Sequence, residues 1–202
     1  VRLYRPFSVS HFVKALPETT KTITVLDRTK ECGAAYEPLA LDIMSALADA
    51  GISGIKVLGG RYGLSSKEFT HDHVIAIHEN ATGAKPKNHF TVGIVDDITK
   101  TSLPANKLTL DFADKNMVEC RFYGLGSDGT VSANKNSIKI ISEYAGLYGQ
   151  AYFVYDSKKS GGLTTSHLRM SKKAINAPYL TIHPDFVACH NKSYVNKYDM
   201  LS

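Results

Sequence analysis

The sequence predicts an α/β protein with two αβ layers and mainly parallel sheets. Apolar, β-branched runs alternate with segments of helical periodicity over residues 22–97, which is the pattern of strand–helix–strand units. A polar stretch at 99–116 then interrupts this alternation. It resumes at residue 117, where a predicted strand, a G-x-G-x-x-G turn and a predicted helix follow one another directly.

The first part of the chain is predicted to hold three strands and three helices. TITVLD is β-branched and apolar without a polar face, which favours a strand buried on both faces. The second helix has Leu39, Ile43 and Leu47 at helical spacing and Gly51 as its stop. The predicted elements are a helix after Ser8, strand 22–27, helix 37–50, strand 54–60, a helix after Thr70 and strand 89–97.

Residues 99–116 are predicted to be a linker, with room for one short strand at 107–112. The sequence therefore divides into a part at 1–98, the linker at 99–116 and a part at 117–202. The elements predicted for the last part are strand 117–126, helix 130–145 and strands 150–156, 162–171, 177–184 and 185–190.

Composition and charge exclude several classes of protein. Of the 202 residues, 43% are hydrophobic, which is enough for a sizeable core and argues against disorder. The net charge of +5 is scattered rather than gathered in a basic stripe, so we expect no nucleic-acid partner. No apolar run approaches the roughly 18 residues of a membrane-spanning helix, so we expect no membrane partner either.

The cysteines indicate a reducing compartment. Cys32, Cys120 and Cys189 are odd in number and far apart, and no C-x-x-C is present. This pattern argues against a disulfide framework and against a thiolate metal site. We expect all three thiols to be free.

The glycine turn is a candidate phosphate site. Gly124 and Gly126 allow a tight turn that approaches a phosphate, and Gly129 is expected to allow close packing of helix on strand. Asp128 and Thr130 are candidate helix caps, and the amides of the helix N-terminus would face the anion. A plain strand–turn–helix corner, in which the glycines serve only the backbone, remains an equal alternative.

A second candidate site is YDSKKSGG, residues 155–162. It ends a predicted strand and should lie beside the glycine turn at the carboxyl edge of the sheet. Asp156 occupies the place of an acid that takes a ribose hydroxyl in a dinucleotide fold, and Lys158 or Lys159 could meet a further phosphate. The alternative is a solvated strand–helix loop whose lysines face water.

Other candidates carry weaker signals. Ser166-His167 and Cys189-His190 are adjacent strand residues that point to opposite faces, so neither pair is a nucleophile–base couple. The remaining candidates are the histidines His71 and His78, the acidic pair Asp96-Asp97 and an ion pair of Arg61 with a sister domain. The residues thus predict neither a catalytic group nor a metal site.

Long motifs along the whole chain resemble the pyruvate:ferredoxin (flavodoxin) oxidoreductases, also called pyruvate synthases. The region 122–162 is the most specific part of this resemblance. The motifs are VRLYRPFS, VLDRTKE, GGRYGLSSKE, FTVGIVDDIT, FYGLGSDGTVSANKNSIKII, YFVYDSKKSGG, SHLR and FVACH.

The resemblance implies that the chain is an internal part of a much larger enzyme. Residues 1–98 are similar to the end of its transketolase C-terminal-like domain, and residues 117–202 to the start of its Rossmann-like, gamma-type domain. The family's coenzyme A region matches at Gly126, Ser127, Asp128, Gly129, Thr130 and Lys158. Cys32 departs from the family, which usually has proline there.

The resemblance also implies an activity. The family oxidatively decarboxylates pyruvate with coenzyme A and passes electrons to ferredoxin or flavodoxin, using thiamine diphosphate and 4Fe-4S clusters. Those two cofactors are expected in parts of the parent outside this chain, so the chain alone is expected to be inactive.

The parent is expected to be a homodimer, in the cytoplasm or, in an anaerobic eukaryote, in a hydrogenosome-like organelle. The alternative is an NADP- or other dinucleotide-binding module, or the same core of a pyruvate:NADP oxidoreductase.

Overall fold

The structure, a computed structural model, describes residues 4–64, 67–95, 98–105, 114–158 and 161–201. The chain divides into two compact units, 1–109 and 110–202. This division falls inside the predicted linker, whose predicted strand at 107–112 lies outside the described residues. The assignment of the two parts to named domains stays a prediction.

The first unit is a parallel αβ layer. Its three strands have the order β1-β2-β3, and both strand pairs are parallel. The elements are α1 (Val9–Ala15), β1 (Thr22–Asp27), α2 (Pro38–Asp49), β2 (Lys56–Tyr62), α3 (His71–Thr82) and β3 (Phe90–Val92).

In this unit, the last residue of β1 forms hydrogen bonds with the first turn of α2. Asp27, the last residue of β1, accepts hydrogen bonds from the amides of Leu39 and Ala40 in the first turn of α2. Its carboxylate therefore satisfies two amides that the helix leaves unpaired. The third strand is shorter than predicted, because Gly93 turns the chain with a φ of 68°.

The second unit is a mixed sheet with one long helix. Its order is β5-β6-β4-β7; β6 is antiparallel to both neighbours, and β7 is parallel to β4. The elements are β4 (Met117–Leu125), α4 (Thr130–Tyr144), β5 (Tyr148–Tyr155), β6 (Leu163–Ser171), β7 (Phe186–Cys189) and a short 3₁₀ helix (Lys192–Tyr194).

The predicted α/β class is confirmed, but this second sheet is mixed rather than mainly parallel. Only residues 156–162 separate β5 from β6. A parallel pair needs a crossover of a dozen or more residues, so this connection can only be a hairpin. Consequently β4 and β5 run in the same direction, with β6 between them.

The prediction of a strand at 177–184 is wrong. Residues 172–185, which we call the strap, have no regular strand and connect β6 to β7. Arg169 donates to the carbonyl of Tyr179 at 2.5 Å, and Arg121 donates to the carbonyl of Thr181 at 2.6 Å. In a strand, these backbone carbonyls would accept hydrogen bonds from a neighbouring strand. In the strap they accept hydrogen bonds from buried arginine side chains instead.

Candidate functional site

The glycine turn joins β4 to α4 through Leu125–Gly129. A Cβ on Gly124 would lie 2.5 Å from Oγ1 of Thr130, so Gly124 is the residue that lets the helix start pack on the strand. The expectation that Gly129 has this packing role is wrong. Gly129 has open space around its Cα and a φ of 90°, so it serves the backbone conformation at the N-cap.

The Asp128 side chain stabilises the glycine turn through hydrogen bonds to the backbone. Its carboxylate accepts the amide hydrogens of Leu125 and Thr130, both at 2.8 Å. Desolvation raises the pKa of Asp128, but the hydrogen bonds from Thr130 and Leu125 outweigh it, so the pKa lies below its usual value. Asp128 therefore stays ionised and fixes the shape of the loop.

The second predicted site lies directly beside this turn. The Gly126 amide donates to the carbonyl of Gly162 at 2.7 Å, and the Gly161 amide donates to the carbonyl of Gly126 at 3.4 Å. A Cβ on Gly126 would lie only 3.3 Å from the Gly161 nitrogen. The loop 156–162 joins β5 to β6 as a hairpin. It therefore does not lead into a helix, as the alternative interpretation of this segment expected.

A cavity of about 190 Å³ opens between the two motifs. The glycine turn and the first turn of α4 form one side, and the end of β5 with the start of β6 forms the other. Among the predicted site residues, those that line it are Gly126, Ser127, Asp128, Gly129 and Lys158. Asp156 lines it too, while Lys159 lies outside the described residues.

Thr130, the sixth predicted site residue, does not line the cavity. It is buried, and its Oγ1 lies 2.8 Å from Nδ1 of His190. The amide of His190 in turn donates to the carbonyl of Tyr123 in β4. Thr130 thus ties the first turn of α4 to the chain just beyond β7, and its side chain acts on the position of the helix.

The cavity has the chemistry of an anion site. Helix α4 begins at it, and the amides of Val131 and Ser132 in its first turn have no partner within the helix. The helix dipole favours a negative charge at this end, and Lys158 adds a cation from the opposite side. Asp156 supplies a carboxylate beside Lys158, which suits a hydroxyl-bearing ligand group.

Sequence reasoning missed Thr164 in β6. This residue lines the cavity and is 5% exposed. Its Oγ1 is buried and has no hydrogen-bond partner among the described residues. The sequence signal for it is its position two residues after Gly162, the last glycine of the hairpin.

Two of the weaker candidates have partners within their own unit. Arg61 makes an ion pair with Glu37 at 2.9 Å inside the first unit, which replaces the expected pair with a sister domain. His167 contacts Thr181, and burial together with Arg121 and Arg169 lowers its pKa to about 4. Asp96 and Asp97 lie outside the described residues.

The described residues contain no group of three or more metal-ligating side chains. Within the same residues, Cys32, Cys120 and Cys189 are free thiols, as predicted. No helix in the described ranges has the length and apolar character to cross a membrane.

Comparisons with known proteins agree with the motifs. Residues 119–202 match the family model described as "Pyruvate ferredoxin/flavodoxin oxidoreductase". The pyruvate:ferredoxin oxidoreductase of Moorella thermoacetica is 56% identical over 201 residues, covering 100% of this chain and 17% of that protein. The probable pyruvate-flavodoxin oxidoreductase of Escherichia coli is 55% identical over 205 residues, covering 99% of this chain and 17% of that protein.

Two further matches widen the comparison. The pyruvate dehydrogenase [NADP(+)] of Cryptosporidium parvum is 52% identical over 203 residues, covering 100% of this chain and 10% of that protein. Among solved structures, the gamma subunit of a keto/oxoacid ferredoxin oxidoreductase from Geobacter sulfurreducens matches with a TM-score of 0.31 and 23% identity. That match covers 41% of this chain and 43% of the gamma subunit.

The chain therefore spans about a sixth of the length of the Moorella thermoacetica and Escherichia coli proteins and about a tenth of the Cryptosporidium parvum protein. More than half of the aligned residues are identical in each of these three matches. The family model covers the strand, glycine turn, helix and hairpin that build the cavity. Residues 119–202 therefore match the domain of the pyruvate ferredoxin/flavodoxin oxidoreductase family, and the whole chain corresponds to an internal part of the much longer oxidoreductases that it resembles.

Proposed function

We propose that the cavity binds phosphate groups of coenzyme A within a longer protein that oxidatively decarboxylates pyruvate to acetyl-coenzyme A and CO₂. That protein would pass the electrons to ferredoxin or flavodoxin and act as a homodimer. The observation that carries the proposal is the meeting of the glycine turn and the Lys158 loop at one cavity.

The ligand would be held by the groups that line this cavity. The amides of the first turn of α4 and the Ser127–Gly129 backbone would meet one phosphate group, while Asp128 holds the turn in shape. Lys158 is exposed on the opposite side and would reach the ribose phosphate of coenzyme A.

Thiamine diphosphate and iron–sulfur clusters do not fit the residues described here. The three cysteines lie far apart in the sequence, and the described residues hold no cluster of metal ligands. Those groups, which supply the decarboxylation and electron-transfer chemistry of the family, would be held by other parts of the longer protein.

A second candidate function is NADP chemistry. The relative from Cryptosporidium parvum carries NADP(+) in its name and is 52% identical to this chain. The chain would then be the same core of a pyruvate:NADP oxidoreductase. In a further version of this candidate, the glycine turn itself binds a dinucleotide, with Asp156 at the ribose.

Calorimetric titration of the full-length protein separates these candidates. The four ligands are coenzyme A, dephospho-coenzyme A, NADP and NAD, and the variant is Lys158→Ala. A charge-assisted contact to the ribose phosphate contributes about 1.5–3 kcal/mol. We therefore expect Lys158→Ala to weaken coenzyme A binding by roughly 10- to 150-fold and to leave dephospho-coenzyme A almost unchanged.

Lys14 provides a matched control, since it is a lysine of the first unit that does not line the cavity. Lys14→Ala should not change either affinity. Tight NADP binding that depends on Lys158, with no binding of coenzyme A, would contradict the coenzyme A proposal and favour the dinucleotide module.

A further inference from the structure

Four buried side-chain atoms in the second unit lack a hydrogen-bond partner among the described residues. They are Nδ2 of Asn134 in α4 and, in β6, Oγ1 of Thr164, Oγ of Ser166 and Nη2 of Arg169, whose residues are 4%, 5%, 0% and 1% exposed. A buried hydroxyl that has lost water without gaining a partner costs about 1–3 kcal/mol. Because these atoms have almost no exposed surface, a ligand can satisfy one of them only where its residue lines a cavity and its side chain turns towards that cavity.

Of these four residues, Thr164 is the one that lines the cavity. Its strand, β6, lies between the two strands whose ends carry the ligand-binding loops. In the sheet register, Thr164 is opposite Gly124 of β4 on one side and Tyr155 of β5 on the other. Thr164 thus lies between the glycine turn and the loop that carries Lys158.

The charges around Thr164 select the kind of group that it would meet. Both carboxylate oxygens of Asp128 already accept backbone amides, and Oδ1 of Asp156 accepts from Ser157 at 3.2 Å. The helix N-terminus and Lys158 are the two features of this region that would attract an anion, while Asp128 and Asp156 are carboxylates in the same lining. A hydroxyl can rotate to donate to a phosphate oxygen, which gives a stronger hydrogen bond than a neutral acceptor.

We propose that the Thr164 hydroxyl donates a hydrogen bond to an oxygen of the pyrophosphate of coenzyme A. The inference rests on the proposed function and adds a contact that distinguishes two phosphate sites. Thr164 is directly across from Gly124 at the glycine turn, whereas Lys158 lies three residues beyond the end of β5. Thr164 therefore recognises the pyrophosphate, and Lys158 recognises the ribose phosphate.

The test uses the full-length protein and three variants, titrated with coenzyme A and dephospho-coenzyme A. Thr164→Val keeps the shape and the β-branched side chain and removes the donor. Thr164→Ser keeps the donor. Thr165→Val is the matched control, because Thr165 is the next residue of the same strand and points to the opposite face.

We expect Thr164→Val to weaken both ligands by the same factor, about tenfold to a hundredfold. Thr164→Ser should stay within about threefold of the wild type for both ligands, and Thr165→Val should match the wild type. Equal loss for the two ligands is the signature of a pyrophosphate contact, because dephospho-coenzyme A lacks only the ribose phosphate.

Three results would overturn the inference. Unchanged affinity in Thr164→Val means that an internal water satisfies the hydroxyl, and the coenzyme A site itself stands. Loss for coenzyme A alone assigns Thr164 to the ribose phosphate. Wild-type protein that binds neither ligand removes the proposed function together with the inference.

Discussion

His167 is the clearest case of a single residue whose chemistry depends on its surroundings. It lies in β6 on the same face as Arg121 and Arg169, and its Nδ1 is 2.7 Å from Oγ1 of Thr181 in the strap. Desolvation first, and then the two arginines, lower its pKa to about 4 from an ordinary value of 6.5. The folded protein therefore holds this histidine in its neutral form at neutral pH.

This pKa predicts how the stability of the second unit depends on pH. The unfolded chain binds a proton at His167 below about pH 6.5, and the folded chain does so only near pH 4. The stabilisation is thus complete above pH 6.5 and is lost as the pH falls from 6.5 towards 4. Hydrogen exchange of the β6 amides, corrected for intrinsic rates, should show lower protection at pH 5 than at pH 7.5.

The matched variants are His167→Asn and His183→Asn, the second at an exposed histidine of the strap. His167→Asn should lose most of the pH dependence, whereas His183→Asn should keep it. Equal pH dependence in the His167→Asn variant and the wild type would count against the buried neutral histidine.

Single residues differ in how far the sequence reveals their roles. Lys158 and Asp128 lie within a few positions of strand and helix ends, so the motif alone brings them to the carboxyl edge. Thr130 and Thr164 depend on partners that only the sheet order supplies. Thr130 meets His190 because β7 pairs in parallel with β4, and Thr164 meets the cavity because β6 lies between β4 and β5.

At the scale of the elements, the junction between β4 and α4 positions the site. The place where a Cβ of Gly124 would stand is 2.6 Å from the Cβ of Thr130 and 2.5 Å from its Oγ1. No side-chain rotation moves a Cβ, so even one methyl group at position 124 must push the helix start away from the strand. The orientation of the helix amides towards the cavity depends on this close approach.

Gly124→Ala should therefore lower the free energy of unfolding of the second unit by about 1–3 kcal/mol through overpacking. A double-mutant cycle with Thr130→Gly, which removes the overlapping side chain, checks the cause. Thr130→Gly should cost less in the Gly124→Ala background than in the wild type. Strict additivity of the two substitutions would refute the overlap.

The strand and helix pattern is predictable from the sequence, but the mainly parallel sheets that the alternation predicts do not include β6, which is antiparallel to both of its neighbours. The hairpin between β5 and β6 is too short for a crossover, and that length was visible in the sequence. The strap was not predictable in this way. Its apolar residues resemble a strand, and its structure is set by Arg121 and Arg169 on two other strands.

At the scale of the whole molecule, the candidate site belongs to the second of two compact units. None of the residues that the structure describes in the first unit lines the cavity. The resemblance stated from the motifs is confirmed by relatives that are 50–56% identical over essentially the whole chain. The role of coenzyme A rests on the cavity and remains the claim to be tested.

Hydrogen exchange of the full-length protein with and without coenzyme A tests that claim most directly. Ligand binding at the cavity should slow the exchange of amides in 126–132 and 156–164, because bound phosphate shields the first turn of α4 and holds the hairpin beside it. Amides of α2 and β2 serve as an internal reference and should not change. Saturating coenzyme A that leaves both cavity segments unchanged while it protects another region would contradict the account.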